Sequence, residues 1–457
     1  MPWLAPVTMA TWLVRSKSAI GTVHASPASG AVQGFLRRSN PHRAARIQGS
    51  MKFVRQSRRF GVISEPNVKP LATATLFNAA GNNVYGVALG WLAYETTGSP
   101  LAVGAVLGMR PLTMLCVGLI AGAVNDRFHR PLILRLYALW YTLLSFGFTS
   151  LLYLGNVGLG HMLVYMFLVG VGFTFGPTAR RAIYADSVSR SRVVDALAVD
   201  RTTFELGHLI MPAIVGVIIS TYGPEIAFTV QCGLYSTMTF LVFRVSTPRR
   251  AVDPTLRPPF LRSIGEGLGY VRAQPGILRM LFATSTLALF GFAYPLVPVV
   301  SGELLNAGAT GVGAILAGGA AGGLIGPILL LALRGRVSSL TALVAGGMAM
   351  GVGMTVFAFS PSLAVAAGAF AFMGATGPAS KAVSDGYMQL AVDPAYRGRV
   401  GSLTQVTRGL EGLSAFLAGG IAQVIGVQGA LVFAAVITVA IAVWLLVTFR
   451  RYGVDGW

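Results

Sequence analysis

Two cysteines in 457 residues, and 15 acidic side chains against 35 basic ones, leave this sequence short of several chemistries at once. Cys116 and Cys232 both fall inside apolar runs, so the spacing fits neither a disulfide framework nor a cysteine metal site. A Walker-type loop (glycine, four residues, Gly-Lys, then Ser or Thr) occurs nowhere, which argues against an ATP-driven pump. No nucleophile and base pair or metal-ligand spacing stands out, so the reading is of a protein that is not an enzyme, with no catalytic residue, no metal and no cofactor. Charge is scarce as well: 11% of residues against 54% hydrophobic. A chain folded in water would expose far more charge, so the natural solvent of this one is lipid.

Apolar stretches of about 20 residues recur from Leu71 onward, the length a helix rising ~1.5 Å per residue needs to cross ~30 Å of hydrocarbon. Twelve such spans are expected, at 71–95, 100–124, 131–154, 160–185, 195–220, 224–246, 276–300, 310–333, 339–358, 362–389, 400–424 and 428–449. Lys and Arg near span ends stay on the cytoplasmic side. Breaks after odd-numbered spans hold none, whereas breaks after even-numbered spans hold pairs such as Arg127 with Arg130, Arg190 with Arg192, and Arg397 with Arg399. The expectation is an all-α integral membrane protein with both termini in the cytoplasm, resident in the cell membrane, a bacterial inner membrane by preference.

The net charge of +20 raises the question of nucleic acid. About half of it lies before residue 70, where basic residues from Arg15 to Lys69 face Glu65 alone. Topogenic and anionic-lipid roles account for that, and no folded basic surface is visible, so no nucleic-acid partner is expected. Residues 1–69 read as a basic, disordered arm, with Met51 as an alternative start of translation.

Residues 247–275 form the longest polar break after the arm and divide the spans six and six. Leu261, Ile264, Leu268 and Val271 recur there at helical spacing, which predicts an amphipathic surface helix in a cytoplasmic linker. The N-terminal bundle is expected over 70–246, the C-terminal bundle over 276–449 and a cytoplasmic tail over 450–457. Span four ends GPTARRAIYAD and span ten ends GPASKAVSDGY, each followed by a basic loop, so the halves read as a weak internal repeat. Two pseudo-symmetric six-helix bundles with a binding site near the midplane are the layout of an alternating-access transporter.

Between spans two and three the chain reads Gly122, three residues, Asp126-Arg127, two residues, Arg130. With that loop on the expected cytoplasmic side, the sequence resembles the major facilitator superfamily. A narrower resemblance rests on NNVYGVALGWLAYETTGSPLAVGAVLGMRP, GPTAR, EGLGYVRAQP and RGRV. These are similar to the transmembrane secretion effector branch that holds the enterobactin exporter, with macrolide efflux proteins as a neighbouring group. The resemblance implies the major facilitator fold and proton-driven export of a small molecule. It also implies that Asp126 meets the cytoplasmic start of span eleven, and that Arg127 and Arg130 pair with rim carboxylates, Asp186 among them, as an inner latch. Span five reads Met211-Pro212 where drug antiporters of the superfamily often carry Gly-Pro.

Ionisable residues inside spans are expensive and face protein or a watery cavity. Glu205 lies ~15 Å into span five and Glu411 ~17 Å into span eleven, which makes them the first proton-coupling candidates, ahead of Asp200 and Asp385. Static ion pairs are the alternative for each of them. Substrate-cavity candidates are Arg110 in span two, Arg408 in span eleven, and Asn78, Asn82 and Tyr85 on one face of span one; helix-to-helix hydrogen bonding is the other reading of the asparagines. The glycine-rich GVGAILAGGAAGGLIGP of span eight predicts close helix packing. The partners expected are a small-molecule substrate, protons and membrane lipids, with the chain acting as a monomer. A non-transporting receptor or scaffold on the same fold and a lipid-moving carrier are the competing functions.

Overall fold

The computed structural model describes residues 62–245, 269–279, 292–332, 339–392 and 397–451; the described side chains leave out 64, 119–127, 190, 331, 339–340, 378, 381–391, 397–411 and 449–451. Every regular element among the described residues is helical. The first helix runs as α1 (Val68–Val84), a π-helical segment Tyr85–Leu89 and α2 (Gly90–Thr97). Then follow α3 (Pro100–Arg127), α4 (Arg130–Tyr153), α5 (Leu159–Asp186), α6 (Val193–Tyr222) and α7 (Pro224–Phe243). The second half opens on helical turns from Tyr294 to Leu304, again ending in a π-helical segment, Val300–Leu304. It continues as α8 (Gly308–Ala332), α9 (Ser339–Ala358), α10 (Leu363–Ala391) and α11 (Arg397–Arg451).

Eight helices among the described residues are long and apolar enough to cross a membrane. The long α11 breaks at Gly426, where φ is 79°, so a glycine supplies the reversal that separates the expected spans eleven and twelve. Pro111, Pro177, Pro212 and Pro327 all sit inside helices. Inside a membrane bundle, neighbouring helices and local adjustment re-satisfy the carbonyls that each proline frees.

In the first half α1 packs on α6 and α7, α3 on α5, and α4 on α5 and α7; in the second, α10 packs on α8 and α9, and α9 on α11. The halves meet through α3 against α11 and α6 against α8. Small residues make these contacts close. A Cβ built on Gly104 of α3 would stand 2.5 Å from the Ala415 carbonyl of α11, and one on Gly216 of α6 would stand 2.8 Å from the Ala309 carbonyl of α8. The glycine run of α8 packs on α10 as its composition predicts: Gly318 faces Ala367, Gly319 faces Phe370, and Gly322 and Gly326 face the Ala371 and Ala375 backbone.

Large apolar side chains, among them Leu143, Phe146, Ile210, Val217, Ile325, Ile328 and Val436, are exposed on the outside of the bundle. Such a surface is unsuited to water and suited to lipid tails. The interior of the first half is polar by comparison, and several of its groups are paired. The Tyr137 hydroxyl donates to Asn78 Oδ1 (3.0 Å), Tyr141 to the Val169 carbonyl (2.9 Å), Tyr165 to Gln231 Oε1 (3.1 Å), and Gln231 Nε2 to the Gly81 carbonyl (2.8 Å).

Two parts of the sequence reading fall differently. Residues 62–69, assigned by composition to the arm, form a 3-10 turn, Val62–Ser64, and the first residues of α1. Val62 and Val68 are buried and Glu65 pairs with Arg192 at 3.2 Å, contacts that order this stretch. Residues 1–61, most of the linker with its expected amphipathic helix, the 280–291 part of span seven and the tail from 452 lie outside the described residues.

Candidate functional site

A cavity of about 410 Å³ lies between the halves, within the size range of pockets that hold drug-sized ligands. The first half supplies its polar wall: Asn82, Asn83 and Tyr85 from the first helix, Arg110 from α3, and Arg201, Glu205 and His208 from α6. The described residues of the second half supply a wall almost free of polar side chains: Leu316, Gly319, Ala320 and Gly323 from α8, Phe370 and Gly374 from α10, and Ala415 from α11. Among the described residues only Tyr294 adds a polar tip on that side, and its hydroxyl lies so close to Gly86 that a Cβ there would stand 2.7 Å from it.

The π-helical segment begins at Tyr85, on the cavity wall. Such segments recur at functional sites because the extra residue in the turn re-aims a side chain. The Tyr85 hydroxyl donates to Asn82 Oδ1 (3.0 Å) and accepts from Arg110 Nη1. The Tyr235 hydroxyl donates to the same Asn82 oxygen at 3.2 Å. The Arg110 guanidinium lies over the Phe173 ring at 4.1 Å, a cation–π contact that holds it in place. No carboxylate among the described side chains lies within ion-pair distance of Arg110. Glu205 and Arg201 are paired one turn apart on α6.

Among the expected site residues, the structure brings Asn82, Tyr85, Arg110 and Glu205 to the wall of one cavity. Asn78 is a correction. It is buried, accepts from Tyr137 of α4 and does not line the cavity, although it lies one helical turn from Asn82. The helix-bonding alternative describes it. Asp200 is also off the cavity wall: Arg180 Nε stands 2.8 Å from its carboxylate, and both side chains are buried. Arg130 and Asp186 meet at 2.6 Å at the arginine-rich end of the bundle. The side chains of Gly122, Asp126, Arg127, Asp385, Arg408 and Glu411 lie outside the described residues.

Sequence reasoning put less weight on four residues that matter here. Arg201 and His208 flank Glu205 on the wall, Arg180 holds Asp200, and Phe173 holds Arg110. The first three carried a signal, as ionisable side chains inside apolar spans. Phe173 carried none, because one phenylalanine among many in a span does not announce what lies beneath it.

Between the cavity and the arginine-poor end the halves close on each other. Beside the glycine contacts, Ser99 Oγ donates to Gln423 Oε1 (2.8 Å) and Thr310 Oγ1 to Ser220 Oγ (2.8 Å). Gly104 is ~9 Å along α3 from Arg110 in that direction.

Two bundles enclosing one polar-walled cavity is the arrangement of a transporter, and residues 60–454 match the family described as transmembrane secretion effector, of the major facilitator superfamily. The chain belongs to that family. It is a multi-pass transporter of the cell membrane. Among characterised relatives of this secretion-effector chain, the multidrug efflux pump Tap of Mycolicibacterium fortuitum is 28% identical, aligning 78% of this chain with 89% of its own. Macrolide efflux protein A of Streptococcus pyogenes is 23% identical over 68% of this chain and 78% of its own. The crystal structure of the nucleoside transporter NupG superposes with a TM-score of 0.67 at 12% identity, covering 84% of this chain and 99% of that one, which shows the shared fold.

Proposed function

We propose that this transporter exports a small organic molecule in exchange for protons, with twelve membrane spans and both termini in the cytoplasm. The observation that carries the reading is the cavity between the halves, with a single carboxylate, Glu205, on its described wall beside Arg201. A cavity enclosed by two packed bundles is what alternating access requires, and a lone acid in it is a place to carry one proton. Efflux by the two relatives supports the outward direction.

The alternation of arginine-rich and arginine-poor loops supports the topology. On that assignment, the contacts of Gly104, Gly216, Ser99 and Thr310 close the outer side and leave the cavity to the cytoplasm. Cargo enters from the cytoplasm while Glu205 is ionised and paired with Arg201. Once the cavity has turned outward, protonation neutralises Glu205, dissolves the pair, releases the cargo and lets α6 return against α8, so that proton and cargo cross in opposite directions. The Arg130–Asp186 contact then belongs to an inner latch with Asp126 and Arg127. The chain works as a monomer, its apolar surface covered by lipid.

Inverted vesicles carrying the chain test this. With an imposed pH gradient, acid inside, they accumulate at least one of fluorescein, labelled erythromycin and ethidium above vesicles lacking the chain, and nigericin abolishes the accumulation. Accumulation that ignores nigericin contradicts the proton coupling.

A further inference from the structure

We propose that the cavity has a dedicated acceptor subsite, formed by Arg110 and Asn82, that takes an anionic group of the cargo, so that the preferred cargo is an amphiphilic organic anion. This rests on the transport reading above and specifies the chemistry of its cargo.

Three observations carry it. First, Asn82 lines the cavity and is 3% exposed, both its described oxygen contacts are donors, and its buried Nδ2 has no hydrogen-bond partner among the described residues. A buried amide N–H without an acceptor is unfavourable by itself, and a ligand oxygen is the group that would satisfy it. Second, the Tyr85 hydroxyl joins Asn82 to Arg110, and the guanidinium is held over Phe173 with one described hydrogen bond out of its five possible N–H donors. Asn82 and Arg110 are thus two fixed donors tied to the same hydroxyl, a geometry suited to a carboxylate, phenolate or phosphate oxygen pair. Third, the other described charges on the wall, Arg201 and Glu205, neutralise each other. Among the described residues, Arg110 therefore sets the sign of the field that the cargo meets.

The opposite wall defines the rest of the ligand. Gly319, Ala320, Gly323 and Gly374 present little more than backbone, with Phe370 beside them. Such a surface accepts a flat apolar body by contact and dispersion, and none of these described side chains pairs with a cation. Anionic head on the first half, flat body on the second: the cargo bridges the two bundles.

Two xanthene dyes of matched shape test the proposal: fluorescein, an anion with a free carboxylate, and rhodamine 123, a cation whose carboxylate is masked as an ester. Binding is read by fluorescence anisotropy with the full chain in lipid nanodiscs, where no transport is needed. Fluorescein is expected to bind about tenfold tighter than rhodamine 123, the worth of one charge-assisted pair. Arg110→Gln abolishes the preference, Arg110→Lys retains part of it, and Asn82→Ala weakens fluorescein more than rhodamine 123. Equal binding of the dyes, preference for rhodamine 123, no binding of either, or an Arg110→Gln variant that still prefers fluorescein each overturns the subsite. Should that happen while vesicles still accumulate drug in a pH gradient, the subsite alone fails. Conversely, intact dye preference with no gradient-driven transport removes the export reading and leaves the subsite standing.

Discussion

Arg180 of α5 and Asp200 of α6 meet with Nε 2.8 Å from a carboxylate oxygen, and both side chains are buried. Asp200 also lies within 3.5 Å of Thr75 Oγ1, which touches the Tyr184 hydroxyl at 3.3 Å, so the pair ties α1, α5 and α6 together. Removing one partner of a buried pair leaves the other charge uncompensated, a loss of about 3–5 kcal/mol. Arg180→Ala and Asp200→Ala should each lower the thermal unfolding midpoint sharply. The double variant, which leaves no orphan charge, should be more stable than either single one. A double variant as unstable as the sum of both would show that the two residues act independently.

The Arg130–Asp186 contact is of a different kind. Its side chains are 31% and 20% exposed, so solvent screens the attraction and its contribution to stability should stay under about 1 kcal/mol. Its proposed importance is to cycling. Asp186→Arg should slow efflux with little change in melting, and adding Arg130→Asp should recover part of the rate. Failure of the charge swap to recover any activity would count against a latch made by this pair.

Closure at the arginine-poor end rests on backbone contact. A side chain at Gly104 meets the Ala415 carbonyl and Gly419, and Gly104→Leu would force α3 and α11 apart. Efflux should fall at least about tenfold, because the halves could no longer close there, while Gly147→Leu, at a position with open space, should be neutral. Equal transport by both variants would remove the contact from the cycle.

Cross-linking probes the same closure directly. Ser99 and Gln423 are joined by a 2.8 Å hydrogen bond between the halves. In a Cys116→Ala background, which removes the exposed native thiol, Ser99→Cys with Gln423→Cys should form a disulfide on mild oxidation. Transport should stop and return on reduction. An oxidised pair that transports normally would mean that this end does not open in the cycle.

Much of this architecture was legible because the membrane imposes it. Span length, the alternation of arginine between loops and the glycine run of α8 follow from hydrocarbon thickness, charge and close packing, and each is local in sequence. Side-chain pairing was less legible. Asn78, Asn82 and Tyr85 share a face of α1, yet Tyr137 from α4 claims Asn78 and leaves the other two to the cavity, and only the packed bundle decides which. Arg180 and Asp200 were both visible as charges in apolar spans; that they neutralise each other depends on how α5 lies beside α6. The ordered turn at Val62–Ser64 was hidden for a related reason, since Glu65 finds its partner Arg192 far along the chain.

The most direct test of proton coupling through Glu205 separates two modes of transport in one preparation of proteoliposomes. Wild type should accumulate cargo against its gradient when a pH gradient is imposed, and should also exchange labelled for unlabelled cargo without one. Glu205→Gln keeps the shape of the wall but carries no exchangeable charge. It is expected to retain exchange and to lose gradient-driven accumulation. Accumulation by Glu205→Gln at the wild-type level, with unchanged dependence on pH, would contradict the account.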